Sequence, residues 1–193
     1  MRLNQLAVLC VVVMLAGCKR SYDDNYVVLP AVGTAAPAFR YATLAGGILT
    51  DESLRGTPSV VALWSSKCSV SRLALASLGA LDADYAGRAR VVILADDADR
   101  SAVAPLVAQA GVRAPVALAA GTLMQTFTHD QSALPWRKAF GLPTFLVFDR
   151  AGHVVHRQVG IEPDQKHRME TVRALLDSLL SHPPAAAFMA PAV

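Results

Sequence analysis

Cys68 and Ser71 stand three residues apart where an apolar run meets a helix-compatible segment, Val60-Val61-Ala62-Leu63-Trp64-Ser65-Ser66-Lys67-Cys68-Ser69-Val70-Ser71-Arg72. Thiol chemistry is what such a junction can do. A helix N-terminus presents unpaired N–H groups and a partial positive charge, and both favour S⁻ over SH. Lys67 adds a full positive charge beside the thiol. The sequence therefore predicts a Cys68 pKa below the free value of about 8.5. A buried, inert cysteine is the competing account, because free cysteine is among the most buried residue types. The polar Ser65-Ser66-Lys67 turn argues for solvent access instead.

Other chemistry-bearing residues are scattered. The five histidines are His129, His153, His156, His167 and His182, and none makes a tight ligand spacing with Cys68. No metal and no cofactor is expected. His153 and His156 flank a predicted hairpin, would lie on opposite faces of a regular strand, and read as solvent-exposed. His129 falls in the least readable stretch, and the spacing leaves its approach to Cys68 open. Trp136 and Phe140 read as core or groove lining. Asp96-Asp97-Ala98-Asp99 follows a strand. It reads as a solvated loop capping the next helix rather than as a cation site.

The elements that must position Cys68 follow from periodicity. Ser59 to Trp64 is a continuous apolar strand, and Ala89 to Ala95 is a second. Between them Leu73, Ala76, Leu78, Leu81 and Tyr85 recur at helical spacing, and Gly87 stops that helix. Upstream, Phe39 to Leu44 and Ile48-Leu49 read as a hairpin about Gly46-Gly47. Asp51 to Gly56 reads as a short helical turn. Arg100 to Ala110 reads as a helix despite Pro105. Val116 to Leu118 reads as a short strand, and Thr122 to Pro135 is compatible with a short helix. Gly141 to Asp149 reads as a turn leading into a strong strand, Ala151-Gly152 as a hairpin turn and Val154 to Val159 as the return strand. An amphipathic helix runs from Pro163 to Leu180, with its proline in the first turn. The alternation of strands and helices implies an α/β fold with a mixed central sheet.

The chain of 193 residues suits one domain plus appendages. Arg2 and the apolar run Leu6 to Ala16 form a signal-peptide core too short to span a membrane comfortably. It ends in Leu15-Ala16-Gly17-Cys18, which resembles the bacterial lipobox. That resemblance implies cleavage before Cys18 and a lipid on its thiol. An ordinary secretory signal and an uncleaved anchor are the alternatives. Of the three cysteines, Cys10 leaves with the leader and Cys18 carries lipid, so Cys68 is the free thiol and no internal disulfide forms. The net charge of +3 falls by one unit with Arg2 and is too weak to argue for nucleic acid. The expected divisions are a leader at 1–17, a tether at 18–31, a folded domain at 32–181 and a disordered Ala/Pro-rich tail at 182–193.

Four motifs in order resemble the TlpA/ResA-type membrane-tethered thioredoxins of bacteria. Gly33 with Ala36-Pro37-Ala38-Phe39 resembles their N-terminal lead-in. Leu54-Arg55-Gly56-Thr57-Pro58 resembles their approach to the first core strand. Trp64-x-x-x-Cys68 matches their spacing of tryptophan to cysteine, and Gly141-Leu142-Pro143-Thr144 matches the loop carrying a cis-proline opposite the thiol. The resemblance implies a thioredoxin fold over roughly Val32 to Leu180, with an N-terminal β-hairpin extension. It implies Cys68 as nucleophile, and Ser71, Lys67 and Pro143 as the rest of the catalytic set. Trp64, Leu142 and Thr144 would meet a bound peptide. Protein or peptide thiols and disulfides would be the partners. A bacterial envelope protein, on the periplasmic side and anchored through Cys18, would be the setting.

Three positions depart from that family's pattern. Ser71 replaces the second cysteine, Lys67 replaces a tryptophan, and Ala62 replaces a buried acid or amide. A hydroxyl cannot form a disulfide, so a mixed disulfide on Cys68 must persist or be cleared by an outside thiol. The expectation is monothiol thiol–disulfide exchange. The alternative is a redox-inactive thioredoxin-fold module for peptide binding or assembly. A one-cysteine peroxidase fits less well: of the Pro-x-x-x-Thr-x-x-Cys pattern of that class, Val61 and Ser65 keep only a partial match at the threonine.

Overall fold

A computed structural model describes residues 29–128, 141–160 and 165–182. The leader, most of the tether and nearly all of the tail lie outside the described residues, as do Cys10, Cys18, His129, Trp136, Phe140 and Pro163.

Among the described residues seven strands form one mixed sheet: β1 (Arg40–Thr43), β2 (Ile48–Thr50), β3 (Ser59–Trp64), β4 (Arg90–Ala95), β5 (Val116–Leu118), β6 (Thr144–Phe148) and β7 (Val154–Val159). Their order across the sheet is β2-β1-β5-β4-β3-β6-β7. β3, β4 and β5 run parallel, while β6 pairs antiparallel with β3 and β7 antiparallel with β6. The expected N-terminal hairpin is β1–β2, which joins the sheet through β5. A 3-10 turn (Asp51–Leu54) follows it. Among the described residues four helices flank the sheet: α1 (Ser69–Asp84), α2 (Arg100–Gln109), α3 (Leu123–Phe127) and α4 (Gln165–Ser181).

The continuous apolar runs are strands buried on both faces, as parallel-sheet strands are. Side chains alternate between faces along each strand. Val60, Ala62 and Trp64 therefore pack with Leu75, Leu78 and Leu81 of α1, Val103 of α2, and Val172 and Leu176 of α4. Val61 and Leu63 face the other way, onto Leu54, Leu123, Phe127 and Phe148. β3 is thus the most enclosed strand, with Val60 to Trp64 all at zero exposure. Its C-terminal end delivers Cys68. α1 ends at Asp84, and Gly87, at φ +75°, takes the left-handed turn expected of the stop.

The β6–β7 hairpin departs from the regular pattern. Val147 pairs with His156 but Phe148 pairs with Val154, so one extra residue, Val155, bulges out of β7. The simple alternation expected between His153 and His156 does not run through that bulge. His153 is exposed, with Nδ1 3.7 Å from Asp149 Oδ2. His156 is half-buried rather than solvent-exposed, and its Nε2 is buried without a hydrogen-bond partner.

Candidate functional site

The turn after β3 is short and tightly held. Cys68 N–H donates to Ser65 O at 3.3 Å and Lys67 N–H to Ser65 Oγ at 3.2 Å. Cys68 itself is the N-cap of α1, with extended backbone at φ −94° and ψ 115°. Its sulfur does what a capping oxygen does elsewhere and accepts the Ser71 N–H, at 3.4 Å. The helix terminus therefore acts directly on the sulfur.

The second wall comes from the loop before β6. The Leu142–Pro143 bond is cis. Gly160 N–H donates to Pro143 O at 2.8 Å, and Thr144 Oγ1 donates to Gly141 O at 2.6 Å. Those two bonds fix the loop, which leaves Leu142 O facing the site. The Cys68 S–H donates to it at 3.3 Å. β3 and β6 are paired neighbours, with Leu63 opposite Thr144, so the sheet register itself brings the two turns together.

Cys68 is partly exposed, the one free cysteine among the described residues. Burial opposes ionisation, but the Ser71 hydroxyl, the Ser71 and Val70 N–H groups and the charge of Arg72 outweigh it. The thiol is held below its ordinary range, as its place at a helix start predicts. Ser71 Oγ is fully buried and makes no regular hydrogen bond, so the nearby sulfur is the polar group it can serve.

The structure brings Cys68, Ser71, Leu142 and Pro143 together. It places three other expected residues differently. Trp64 has no exposed surface, and its Nε1–H donates to Ser71 O at 2.6 Å. It supports the first turn of α1 from beneath and does not line a groove. Thr144 is equally buried and holds the proline loop from behind. Lys67 is exposed, and the acid its charge acts on is Asp96. The cation that favours the Cys68 thiolate is Arg72, one helical turn further on. Ala62 lies in the apolar core beneath the site, at zero exposure.

Two residues escaped the reading of the sequence. Asp97 is 3% exposed, and both of its oxygens grip Ser66: Oδ2 accepts the N–H at 2.8 Å and Oδ1 the hydroxyl at 2.6 Å. Ser66 O in turn accepts Arg72 Nη1–H at 3.0 Å. In Asp96-Asp97-Ala98-Asp99 the expected capping of the next helix, α2, falls to Asp99, whose Oδ1 accepts the Ser101 N–H at 2.7 Å, while Asp96 Oδ1 accepts the Leu123 N–H at the start of α3. A signal for Asp97 did exist. Parallel neighbours β3 and β4 end side by side, Trp64 opposite Ala95, so residues just past Ala95 must lie at the cysteine's end of the sheet. No group of residues able to hold a metal ion occurs among the described residues.

No family model matches the chain, and neither does any curated protein. Solved structures do. One is provisionally designated thiol:disulfide interchange protein DsbE, from Chlorobium tepidum. It is 24% identical with a TM-score of 0.63, over 78% of this chain and 99% of that one. The thioredoxin domain of a thiol-disulfide oxidoreductase from Bacteroides vulgatus is 15% identical with a TM-score of 0.61, over 76% and 98%. A secreted Mycobacterium tuberculosis disulfide oxidoreductase homologous to E. coli DsbE is 19% identical with a TM-score of 0.55, over 75% and 96%. The mixed sheet, its flanking helices and these likenesses together show a thioredoxin fold.

Proposed function

We propose that this chain performs monothiol thiol–disulfide exchange on protein or peptide partners, tethered to a membrane of the bacterial cell envelope by lipid on Cys18. One observation carries the reading. A partly exposed sulfur caps α1, accepts the Ser71 N–H, and lies 3.3 Å from the carbonyl preceding a cis-proline.

The Cys68 thiolate attacks one sulfur of a partner disulfide. A Cys68–partner S–S bond forms, the partner's S–S bond breaks, and the second partner sulfur leaves as thiolate. Ionisation also frees Leu142 O from the S–H, and a main-chain N–H of the bound partner can take its place. Ser71 offers no second thiol. An external thiolate must attack the mixed disulfide, which restores the Cys68 thiolate and leaves the partner disulfide-bonded to the incoming thiol. The structural neighbours described as thiol-disulfide oxidoreductases support exchange chemistry. Leu15-Ala16-Gly17-Cys18 supports the tether, and among the described residues no helix is long and apolar enough to cross a membrane.

A second reading, a peptide-binding or assembly module without turnover, draws on Ala62, which puts no proton acceptor beneath the sulfur. One experiment separates the two. Cells expressing the full chain are alkylated and their adducts resolved without reductant. The exchange reading expects a thiol-sensitive adduct that Cys68→Ala abolishes, and membrane association that Cys18→Ser abolishes. Absence of any such adduct, with function intact in Cys68→Ser, would favour the binding module.

A further inference from the structure

We propose that Asp97 is a positioning residue of this site: through Ser66 it fixes the guanidinium of Arg72 on the turn that carries Cys68. The inference rests on the reading of Cys68 as the working nucleophile, and extends it to a carboxylate from a different loop. The chain of contacts is continuous. Asp97 takes both the N–H and the hydroxyl of Ser66, at 2.8 and 2.6 Å, in a bidentate grip. That grip anchors Ser66 at its N–H and its side chain, and the Ser66 carbonyl opens the next peptide unit of the same turn. Arg72 Nη1–H donates to that oxygen at 3.0 Å. Arg72 is otherwise an exposed side chain with several free torsions. It also lies one helical turn from Cys68, its N–H donating to Cys68 O at 3.1 Å. A held guanidinium at that place acts on the sulfur continuously, and a free one spends its time in solvent.

Asp97 is itself pinned, because its carbonyl accepts Ala120 N–H at 3.2 Å and the carboxylate is buried. Burial of a carboxylate is costly unless its oxygens are used, and here both are used on the turn that carries the thiol.

The sign of the effect separates positioning from simple electrostatics. Deleting a nearby negative charge should, by Coulomb's law alone, make a thiol more acidic. Releasing Arg72 should make it less acidic. The test is the rate of iodoacetamide alkylation against pH, read by mass spectrometry of the Cys68 peptide from the full chain. The variants are Asp97→Asn, Asp97→Ala, Arg72→Leu and Asp97→Ala/Arg72→Leu. The expected result is an upward midpoint shift in Asp97→Ala of about half a pH unit, matched by Arg72→Leu and not enlarged in the double variant. Asp97→Asn keeps the shape and one acceptor oxygen, so it guards against loss of folding, and it too should shift upward. A wild-type midpoint below the ordinary thiol range, with Asp97 variants unchanged or shifted downward, overturns this inference alone. An ordinary midpoint in the wild type overturns the nucleophile reading and this inference with it.

Discussion

Ser71 shapes the proposed chemistry by what it lacks. It stands where a helical turn brings a second side chain back to Cys68, and its buried hydroxyl can polarise sulfur but cannot bond to it covalently. Asp96, at the same end of the sheet, carries a different and measurable consequence. Burial pushes its carboxyl up; the Leu123 N–H at 3.2 Å opposes this, the Asp97 charge adds to it, and Lys67 opposes it again. A carboxyl whose folded pKa lies above its unfolded value takes up a proton more readily when folded. Its ionised form therefore costs stability at neutral pH, and that cost fades as pH falls through the raised value. Asp96→Asn keeps an oxygen for the Leu123 N–H. It should raise the urea midpoint at pH 7, and the gain should shrink towards pH of about 4. A gain independent of pH would contradict the assignment. At this scale the sequence made Cys68, Leu142 and Pro143 legible, because a thiol at a strand–helix junction and a Gly-x-Pro turn are local features. The place of Asp97 past the end of β4 could have been read, but its role and that of Arg72 were not legible, because they depend on hydrogen bonds through Ser66 that residue order does not encode.

Among the elements, α1 does the most to place the thiol. Its N-terminus caps on sulfur, and Trp64 reaches up from β3 to the carbonyl of Ser71. Its far end is tied to α4 by Tyr85, whose hydroxyl donates to Asp177 Oδ1 at 2.8 Å, and by Arg173 with Asp84 at 2.6 Å. Gly79 lies inside this helix, between Leu78 and Leu81. A methyl group there would meet Val112 Cγ2 at 3.5 Å and Ala110 O at 3.6 Å, which is ordinary contact. Gly79→Ala should stabilise the protein by about 0.5–1 kcal/mol in chemical denaturation, because alanine is the better helix former and nothing has to move. Destabilisation would show that the α1–Val112 contact is tighter than these distances imply. Apart from α3, which occupies Leu123–Phe127 in the stretch the sequence left least readable, the strands and helices among the described residues lie close to where periodicity and turn residues put them, since apolar runs and glycine stops are strong local signals. The β7 bulge did not show in the sequence. It arises from pairing with β6, and nothing in Val154 to Val159 alone marks which residue is extra.

For the molecule as a whole, the sheet is the device that makes a site from distant segments. Parallel β3 and β4 bring Asp97 to Ser66 in the turn that carries Cys68, and antiparallel β6 brings Leu142 to the Cys68 sulfur from the other side of β3. The thioredoxin fold was legible from four short motifs in order. The absence of a second thiol one helical turn from Cys68 was legible from a single residue, Ser71, within one of them, and the proposed trapping of partners is built on it. The most direct measurement follows glutathione on Cys68. Full-length protein is exposed to oxidised glutathione, freed of excess, and the Cys68 peptide is followed by mass spectrometry. Wild type should form the mixed disulfide and keep it until an outside thiol is added, whereas Ser71→Cys should expel glutathione unaided and close an intramolecular disulfide. Failure of Cys68 to take up glutathione, or its unaided loss from the wild type, would contradict the account.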